Sequence, residues 1–187
     1  MKAFLPVLWS SASFFAQAVL ARSGSRSPTE ADLVGTWQLL SIEDTIAGEV
    51  RPAVGLGPHA AGVLMYQAEG YMCATLVDGH RPAWTDPAKP TDAEKIACFD
   101  TFIAYCGTYK VDCEKSVVYH YPTIAWSPAF VGTTQARPFR LEGDKLIITV
   151  SENLDYPGME RRVLTWKRAR RITQSSPAFV HRSNAEK

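Results

Sequence analysis

The sequence has almost no net charge: 20 basic and 19 acidic side chains among 187 residues leave a formal charge of +1. A chain so balanced has no overall field that would attract nucleic acid, so no nucleic-acid partner is expected. Signatures of nucleotide-binding and hydrolytic enzymes are also missing. There is no phosphate-binding glycine loop, no Gly-x-Ser-x-Gly elbow and no His-Glu-x-x-His. No cofactor is predicted.

The chain also lacks the spacing of metal ligands, because its four histidines are isolated and its four cysteines include no Cys-x-x-Cys pair. No metal site is predicted. The cysteines allow either free thiols or two disulfides with three pairings; they are Cys73, Cys98, Cys106 and Cys113. A bond between the last two is disfavoured. They would lie about 20 Å apart on one extended strand, whereas a disulfide needs Cα atoms within about 7 Å.

The N-terminal stretch, residues 1–21, has the three parts of a secretory signal: Lys2, a mostly apolar run, and small residues around Ala21. Several serines and Gln17 make the run a poor membrane span, so stable membrane insertion is not expected. We predict a secreted or secretory-pathway protein; the alternative is a cytoplasmic protein with an apolar N-terminal segment. Residues 22–31 are predicted as a linker, 32–168 as one domain and 169–187 as a flexible tail.

The predicted domain contains eight runs rich in β-branched and aromatic residues, most of them separated by short turns. The runs are residues 35–44, 62–66, 71–76, 107–112, 116–121, 134–141, 145–150 and 161–168. One helix is predicted over residues 91–105, because Thr91 and Glu94 suit a capping box and Ile96, Phe99 and Ile103 recur at helical spacing. The sequence therefore predicts an all-β, eight-stranded up-and-down barrel with one helix between strands 3 and 4. A flat sandwich of the same strands is the alternative architecture.

Five ordered segments of this pattern resemble the bacterial and fungal lipocalin-like domain family, a branch of the calycin barrels. They are Leu33-Val-Gly-Thr-Trp37, Gly62-Val-Leu-Met-Tyr66, residues 102–111, residues 131–137 and Leu141-Glu-Gly-Asp-Lys-Leu146. The resemblance covers roughly residues 32 to 168. It implies a lipocalin-like barrel and, since several fungal members belong to secondary-metabolite pathways, a binding or cyclising role. It also implies that Trp37 closes one end of the barrel beneath Arg162 or Arg168.

Two side chains are predicted to be catalytic. His120 could act as a general acid or base if its face of the strand points inward, and Tyr109 on the neighbouring strand could donate a hydrogen bond to a ligand. Neighbours alternate along a strand, so either His120 or the pair Tyr119 and Tyr121 faces the interior; the sequence leaves this open. The alternative is that His120 and Tyr109 have only structural roles.

A second group of residues is predicted to contact the ligand, because aromatic rings and a thioether suit a flat, apolar molecule. The group comprises Trp126, Phe130, Tyr66, Met72 and Trp37. We therefore expect a barrel that binds a small hydrophobic metabolite of polyketide or terpenoid type and acts as a cofactor-free isomerase or cyclase. A non-catalytic carrier and a barrel filled by its own side chains are the alternatives. The oligomeric state is left open.

Overall fold

The computed structural model describes residues 27–151 and 156–170. The predicted signal segment, the first half of the predicted linker and most of the predicted tail lie outside these residues. No helix in the described part of the chain is long and apolar enough to cross a membrane.

The described residues form two helices and nine strands, all of which pair antiparallel. In chain order they are α1 (Glu30–Leu33), β1 (Gly35–Ile46), β2 (Glu49–Pro52), β3 (Ala60–Tyr66), β4 (Tyr71–Asp78), α2 (Asp92–Asp100), β5 (Phe102–Asp112), β6 (Val117–Ala125), β7 (Gln135–Glu142), β8 (Lys145–Val150) and β9 (Met159–Arg168). A short 3-10 turn, Pro128–Phe130, lies between β6 and β7.

Eight of these strands close into a barrel. Each strand from β3 to β8 pairs with the one that follows it, and β1 pairs with both β3 and β9. The helix α2 lies between β4 and β5, the third and fourth strands of the barrel. The predicted eight-stranded lipocalin-like barrel with one helix between strands 3 and 4 is confirmed.

Alternating burial along the strands places the core inside the barrel. On β4, Met72, Ala74 and Leu76 are buried, whereas the alternate residues Tyr71 and Thr75 are exposed and Cys73 is half-buried. Such alternation is the two-residue period of a strand with one face in the core and one in water.

The predicted helix is wrong at its C-terminal end. The capping box is present, since the Thr91 amide donates to Glu94 Oε2 at 2.7 Å, but α2 ends at Asp100 and β5 begins at Phe102. Ile103 is a strand residue opposite Leu76. Pairing with β4 buries the inward face of this segment, which the isolated helical pattern could not show. On α2 itself Ile96 and Phe99 are 60% and 53% exposed, so the predicted apolar stripe does not face the core.

Residues 47–60, which lie between the first two predicted strands, contain β2, which extends the end of β1 as a hairpin outside the barrel. Its turn is Ala47-Gly48, and both residues have positive φ, 53° and 76°. Two-residue hairpin turns with positive φ at both positions match the twist of their strands. The alanine at the first position hid this turn in the sequence, because glycine, asparagine or aspartate is usual there.

Strand β6 continues through Pro122 to Ala125, four residues beyond the end of the predicted strand at residue 121. The proline is accommodated by a register shift between Cys106 and Gly107 of β5, where the two backbones approach closely. A Cβ atom on Gly107 would lie 2.0 Å from the Tyr121 carbonyl oxygen, so only glycine fits. Proline within a sheet is typical of such irregular positions.

The disulfide pairing left open by the sequence is Cys73–Cys106, which joins directly opposite residues of β4 and β5. Cys98 and Cys113 are free.

One end of the barrel is closed by α1 and Trp37. The Trp37 indole is fully buried, and its Nε1–H donates to the Leu33 carbonyl at 2.8 Å. The Arg168 guanidinium lies over the indole, with Cζ 4.1 Å from the ring centroid, and donates to the carbonyls of Val34 and Asp32. Arg168, not Arg162, is therefore the cation that covers Trp37.

Candidate functional site

The barrel interior opens at the end opposite Trp37. An open cavity of about 750 Å³, the outer chamber, is lined by Phe102, Trp126, Phe130, Gln135, Tyr156 and Arg162 among others. Aromatic side chains form much of its wall. The rings of Trp126 and Phe130 pack with centroids 5.0 Å apart, and Phe130 lies 5.1 Å from the Tyr105 ring farther in.

Two small chambers continue the cavity into the barrel. The middle chamber, about 80 Å³, shares Ile103, Trp126 and Phe130 with the outer chamber and adds Tyr105 and Arg137. The inner chamber, about 30 Å³, is lined by Tyr105, Arg137, His120, Leu64, Ile148 and Trp166. The three chambers share wall residues in sequence, so they define one path from the mouth to the buried polar groups.

His120 faces inward, which settles the parity of its strand. It is buried and lies between two tyrosine hydroxyls: Nε2 is 2.7 Å from Tyr66 Oη and Nδ1 is 2.9 Å from Tyr105 Oη. Burial, with a smaller contribution from the positive charge of Arg137, lowers the pKa of His120 to about 3. The imidazole is therefore neutral at physiological pH and donates through one nitrogen while accepting through the other.

Hydrogen-bond satisfaction indicates which nitrogen carries the proton. Tyr66 is buried and lines none of the three chambers, so its hydroxyl donates to His120 Nε2, which accepts without a proton of its own. Nδ1–H then donates to Tyr105, which leaves the Tyr105 hydroxyl proton free to point into the middle and inner chambers that it lines. Burial raises the pKa of both tyrosines, so both keep their protons.

Arg137 is a cation buried inside the barrel, where it lines the middle and inner chambers. Its guanidinium donates to the Ala136 carbonyl at 3.0 Å and to Gln135 Oε1 at 2.9 Å. The Gln135 amide donates in turn to Thr133 Oγ1, and Thr133 donates to the Phe130 carbonyl, both at 2.7 Å. This chain of bonds fixes Arg137 and connects it to the aromatic segment at the mouth.

At the rim of the mouth, Arg162 forms a different arrangement. Its Nε and Nη2 atoms donate to the two carboxylate oxygens of the buried Asp44 at 2.7 and 2.8 Å. Asp44 also accepts from the Val54 amide at 2.7 Å, which ties the segment after β2 to the barrel wall. Two-point arginine–carboxylate bonds of this kind are strong and directional.

The predicted site residues fall into two groups. Trp126 and Phe130 line the outer and middle chambers, where the ligand was expected. Tyr66 and Met72 are buried in the wall behind the chambers, and Trp37 lies at the closed end. Tyr109 donates its hydroxyl to the Gln67 carbonyl at 2.9 Å and lines none of the three chambers, so its predicted hydrogen bond to a ligand has no support from this geometry.

Sequence reasoning missed Tyr105, Gln135, Arg137 and Trp166. Tyr105 was hidden by the predicted helix. Gln135 and Arg137 share strand parity with Phe139, and that shared parity was the available signal for an inward polar pair. Polar residues on a strand usually face solvent, so Gln135 and Arg137 taken alone predict an exposed face. Only their shared parity with Phe139 indicates that this face lies inside the barrel.

Metal ligation has no evident place in this arrangement. Among residues 27–151 and 156–170, no group of three or more histidine, cysteine, aspartate or glutamate side chains could hold a metal ion.

The closed barrel with an inward polar network and an open aromatic mouth is a lipocalin-type architecture. Residues 34–169 match the lipocalin-like domain family, and the chain belongs to that family. Among known proteins, the chain is similar to the 4'-hydroxy-3'-methoxypropiophenone carrier protein ppsC of Aspergillus oryzae. The two are 32% identical over 90 residues, which cover 44% of this chain and 81% of that protein.

A solved structure that this chain matches is the lipoprotein YedD from Klebsiella pneumoniae. The alignment covers 80% of this chain and 82% of that one, with 17% sequence identity and a TM-score of 0.37.

Proposed function

We propose that this barrel binds a small, largely apolar metabolite of polyketide or terpenoid type and carries it without chemical change. The observation that carries the proposal is the open outer chamber of about 750 Å³, walled by Trp126 and Phe130. Ligand sites in proteins typically measure about 300–1,000 Å³ and combine apolar walls with a few polar groups. The similarity to a protein named as the carrier of an aromatic ketone supports the same class of ligand.

The catalytic alternative, a cofactor-free isomerase or cyclase, retains one specific observation. Tyr105 and Arg137 present hydrogen-bond donors in a secluded chamber, where they could stabilise an enolate. His120 is poorly suited to the general acid–base role predicted for it. Both its nitrogens are occupied by tyrosine hydroxyls, and a pKa of about 3 makes it a weak base. This geometry favours carriage over catalysis.

Binding can be tested with the neutral fluorescent probe N-phenyl-1-naphthylamine, whose emission rises in apolar sites. We expect saturable binding to the wild-type protein, and binding at least about tenfold weaker in Trp126→Ala, because aromatic anchors dominate such sites. Trp84→Ala is the matched control. Trp84 borders a separate cavity of about 300 Å³ beside α2. Loss of binding in the control alone, or no binding to the wild type, would contradict the proposal.

Carriage and catalysis are separated by the products of a host strain that lacks the protein. Mass spectrometry should show the same end product in smaller amount if the protein is a carrier. Accumulation of an uncyclised or unrearranged precursor would instead support the isomerase or cyclase.

We also propose that the protein follows the secretory pathway, as its N-terminal sequence predicts. The disulfide Cys73–Cys106 supports this, because such bonds persist mainly in oxidising compartments. Sequencing the N-terminus of the protein purified from its host would test cleavage after the predicted signal segment. An intact Met1 on the mature protein would contradict it.

A further inference from the structure

We propose that the ligand carries a carboxylate, which binds Arg137 in the middle chamber while the apolar body of the ligand occupies the outer chamber. This inference rests on the proposed binding function and assigns the chemistry of the buried end of the same site.

The first argument is that Arg137 lacks a counter-charge. Its side chain is buried, with 9% exposure, and the groups it hydrogen-bonds are neutral: the Ala136 carbonyl, the Gln135 amide oxygen and the Tyr105 hydroxyl. Among the described residues no carboxylate forms an ion pair with it. A guanidinium removed from water is stabilised mainly by an anion with good geometry, and neutral acceptors offset only part of its desolvation.

Arg162 is an arginine of the same barrel whose charge is neutralised by a protein carboxylate. It lines the same middle chamber, yet its guanidinium is held at two points by Asp44. The protein thus neutralises the arginine at the rim and leaves the deeper one, Arg137, with neutral partners. The deeper position is where a ligand entering head-first would end.

The second argument is that the groups around Arg137 are donors. With Tyr105 accepting from His120 Nδ1–H, its own hydroxyl proton is free to be donated to a ligand in the chambers that Tyr105 lines. Trp166 lines the inner chamber, and its buried Nε1–H has no hydrogen-bond acceptor among the described residues. An indole N–H and a guanidinium donate only, so a ligand group that satisfies them must be rich in acceptors.

The third argument is size. The middle and inner chambers measure about 80 and 30 Å³. An apolar cavity that binds benzene measures about 150 Å³, so an aromatic phenolate does not fit beside Arg137 without rearrangement. A carboxylate at the end of a flexible methylene chain is compact enough, and its two oxygens match the guanidinium fork. The outer chamber remains for the ring or other apolar body.

The test compares an acid with its alcohol. 4-Phenylbutyrate and 4-phenylbutan-1-ol have the same phenyl ring and carbon chain, and differ in the charged head. Each displaces bound N-phenyl-1-naphthylamine, and calorimetry measures each directly. We expect the acid to bind about 10- to 100-fold more tightly than the alcohol at neutral pH, as charge-assisted hydrogen bonds provide.

Variants locate the effect. Arg137→Gln should abolish the preference for the acid while retaining binding of the neutral probe, and Arg137→Lys should restore part of it. Arg140→Gln is the matched control, since Arg140 lies on the same strand but is exposed and paired with Glu142. Trp166→Phe, which removes the unpartnered N–H, should weaken the acid more than the alcohol.

The outcomes separate this inference from the proposed function. If the neutral probe binds but wild-type protein binds acid and alcohol equally, the carboxylate site is wrong and the carrier function stands; this comparison needs no variant and survives any folding defect of Arg137→Gln. An acid preference unchanged in a folded Arg137→Gln protein would also overturn the assignment. If neither the probe nor either ligand binds the wild type, both proposals fail.

Discussion

The two ends of the barrel use the same residue types, a tryptophan and an arginine, with opposite results. At the closed end, Trp37 and Arg168 are satisfied by each other and by the carbonyls of Leu33, Val34 and Asp32. Toward the open end, Trp126 borders a cavity, and Arg137 has only neutral partners among the residues that the structure describes. A tryptophan and an arginine are therefore structural when other protein groups already satisfy their hydrogen bonds and charge. They are available to a ligand when those groups are missing.

Glycine at position 35 shows how tightly the closed end is assembled. Gly35 has φ of +133°, and a Cβ there would lie 2.9 Å from Arg168 Nη1. Gly132 beside the mouth also has positive φ, +77°, but an added Cβ there would meet nothing within 4 Å, so no packing contact limits that position. Close packing at one end and open space at the other predict that stability and binding can be perturbed separately.

The largest effect is expected at the closed end. Trp37→Ala removes a fully buried indole and should lower the free energy of unfolding by about 3–5 kcal/mol, the range for large-to-small changes at buried aromatic positions. Leu40→Ala on the same strand is the control, because Leu40 is half exposed and should cost about 0.5 kcal/mol or less. Denaturant unfolding followed by circular dichroism measures both. Equal small losses would show that the closed end is not the stability centre.

A smaller loss of unfolding free energy is expected when the disulfide between β4 and β5, in the barrel wall, is removed. The Cys73–Cys106 disulfide closes a sequence separation of 33 residues, and its removal by the double change Cys73→Ala, Cys106→Ala should destabilise the barrel by about 2–4 kcal/mol. Cys113→Ala, at a free thiol, serves as the control. If the reduced wild-type protein unfolds at the same denaturant concentration as the oxidised one, the disulfide contributes nothing.

The buried polar network should make stability depend on pH. The pKa of His120 in the folded protein is lowered to about 3, below the value near 6.5 of an unfolded histidine. The unfolded state therefore binds more protons between these values. The stability that depends on a neutral His120 is therefore fully present above about pH 6.5 and is lost as the pH falls toward 3. Between pH 6.5 and 5 the loss should be about 1.5 kcal/mol.

That interval avoids most carboxylate titration, and two variants isolate the histidine. His120→Gln should remove most of the slope, although its stability at neutral pH is lower. His80→Gln alters an exposed histidine and should keep the slope. A wild-type protein with flat stability from pH 6.5 to 5 would mean that His120 is accessible to protons in the folded barrel.

The sequence predicted most of the barrel because most strands have local signals, namely alternating apolar and polar side chains and the turn residues between them. It predicted less where long-range pairing decides the structure. Ile103 fits a helical stripe as well as a strand, and only pairing with Leu76 on β4 selects the strand. In the same way, His120 could be recognised as a candidate from composition, but its tyrosine partners lie 15 and 54 positions away.

The mouth was easier to locate than the polar interior. Trp126 and Phe130 stand out because aromatic residues in a proline-containing loop have few local roles. Arg137 does not stand out, because nothing in a single sequence tells a buried arginine from an exposed one on the same strand, such as Arg140. The difference lies in which face the closed barrel encloses.

The smallest effect on stability, and the sharpest contrast with Trp37, is expected for Trp126→Ala. Trp126 is only partly buried, packs on Phe130 and the edge of the core, and borders the open cavity on its other side, so its loss should cost about 1 kcal/mol or less of unfolding free energy. Binding of N-phenyl-1-naphthylamine should nevertheless fall by at least about tenfold. The unfolding free energy and the probe affinity, measured on both variants, would show that Trp37 stabilises the fold and that Trp126 binds the ligand. A loss of several kcal/mol in Trp126→Ala would remove that distinction, because both ends would then belong to one core.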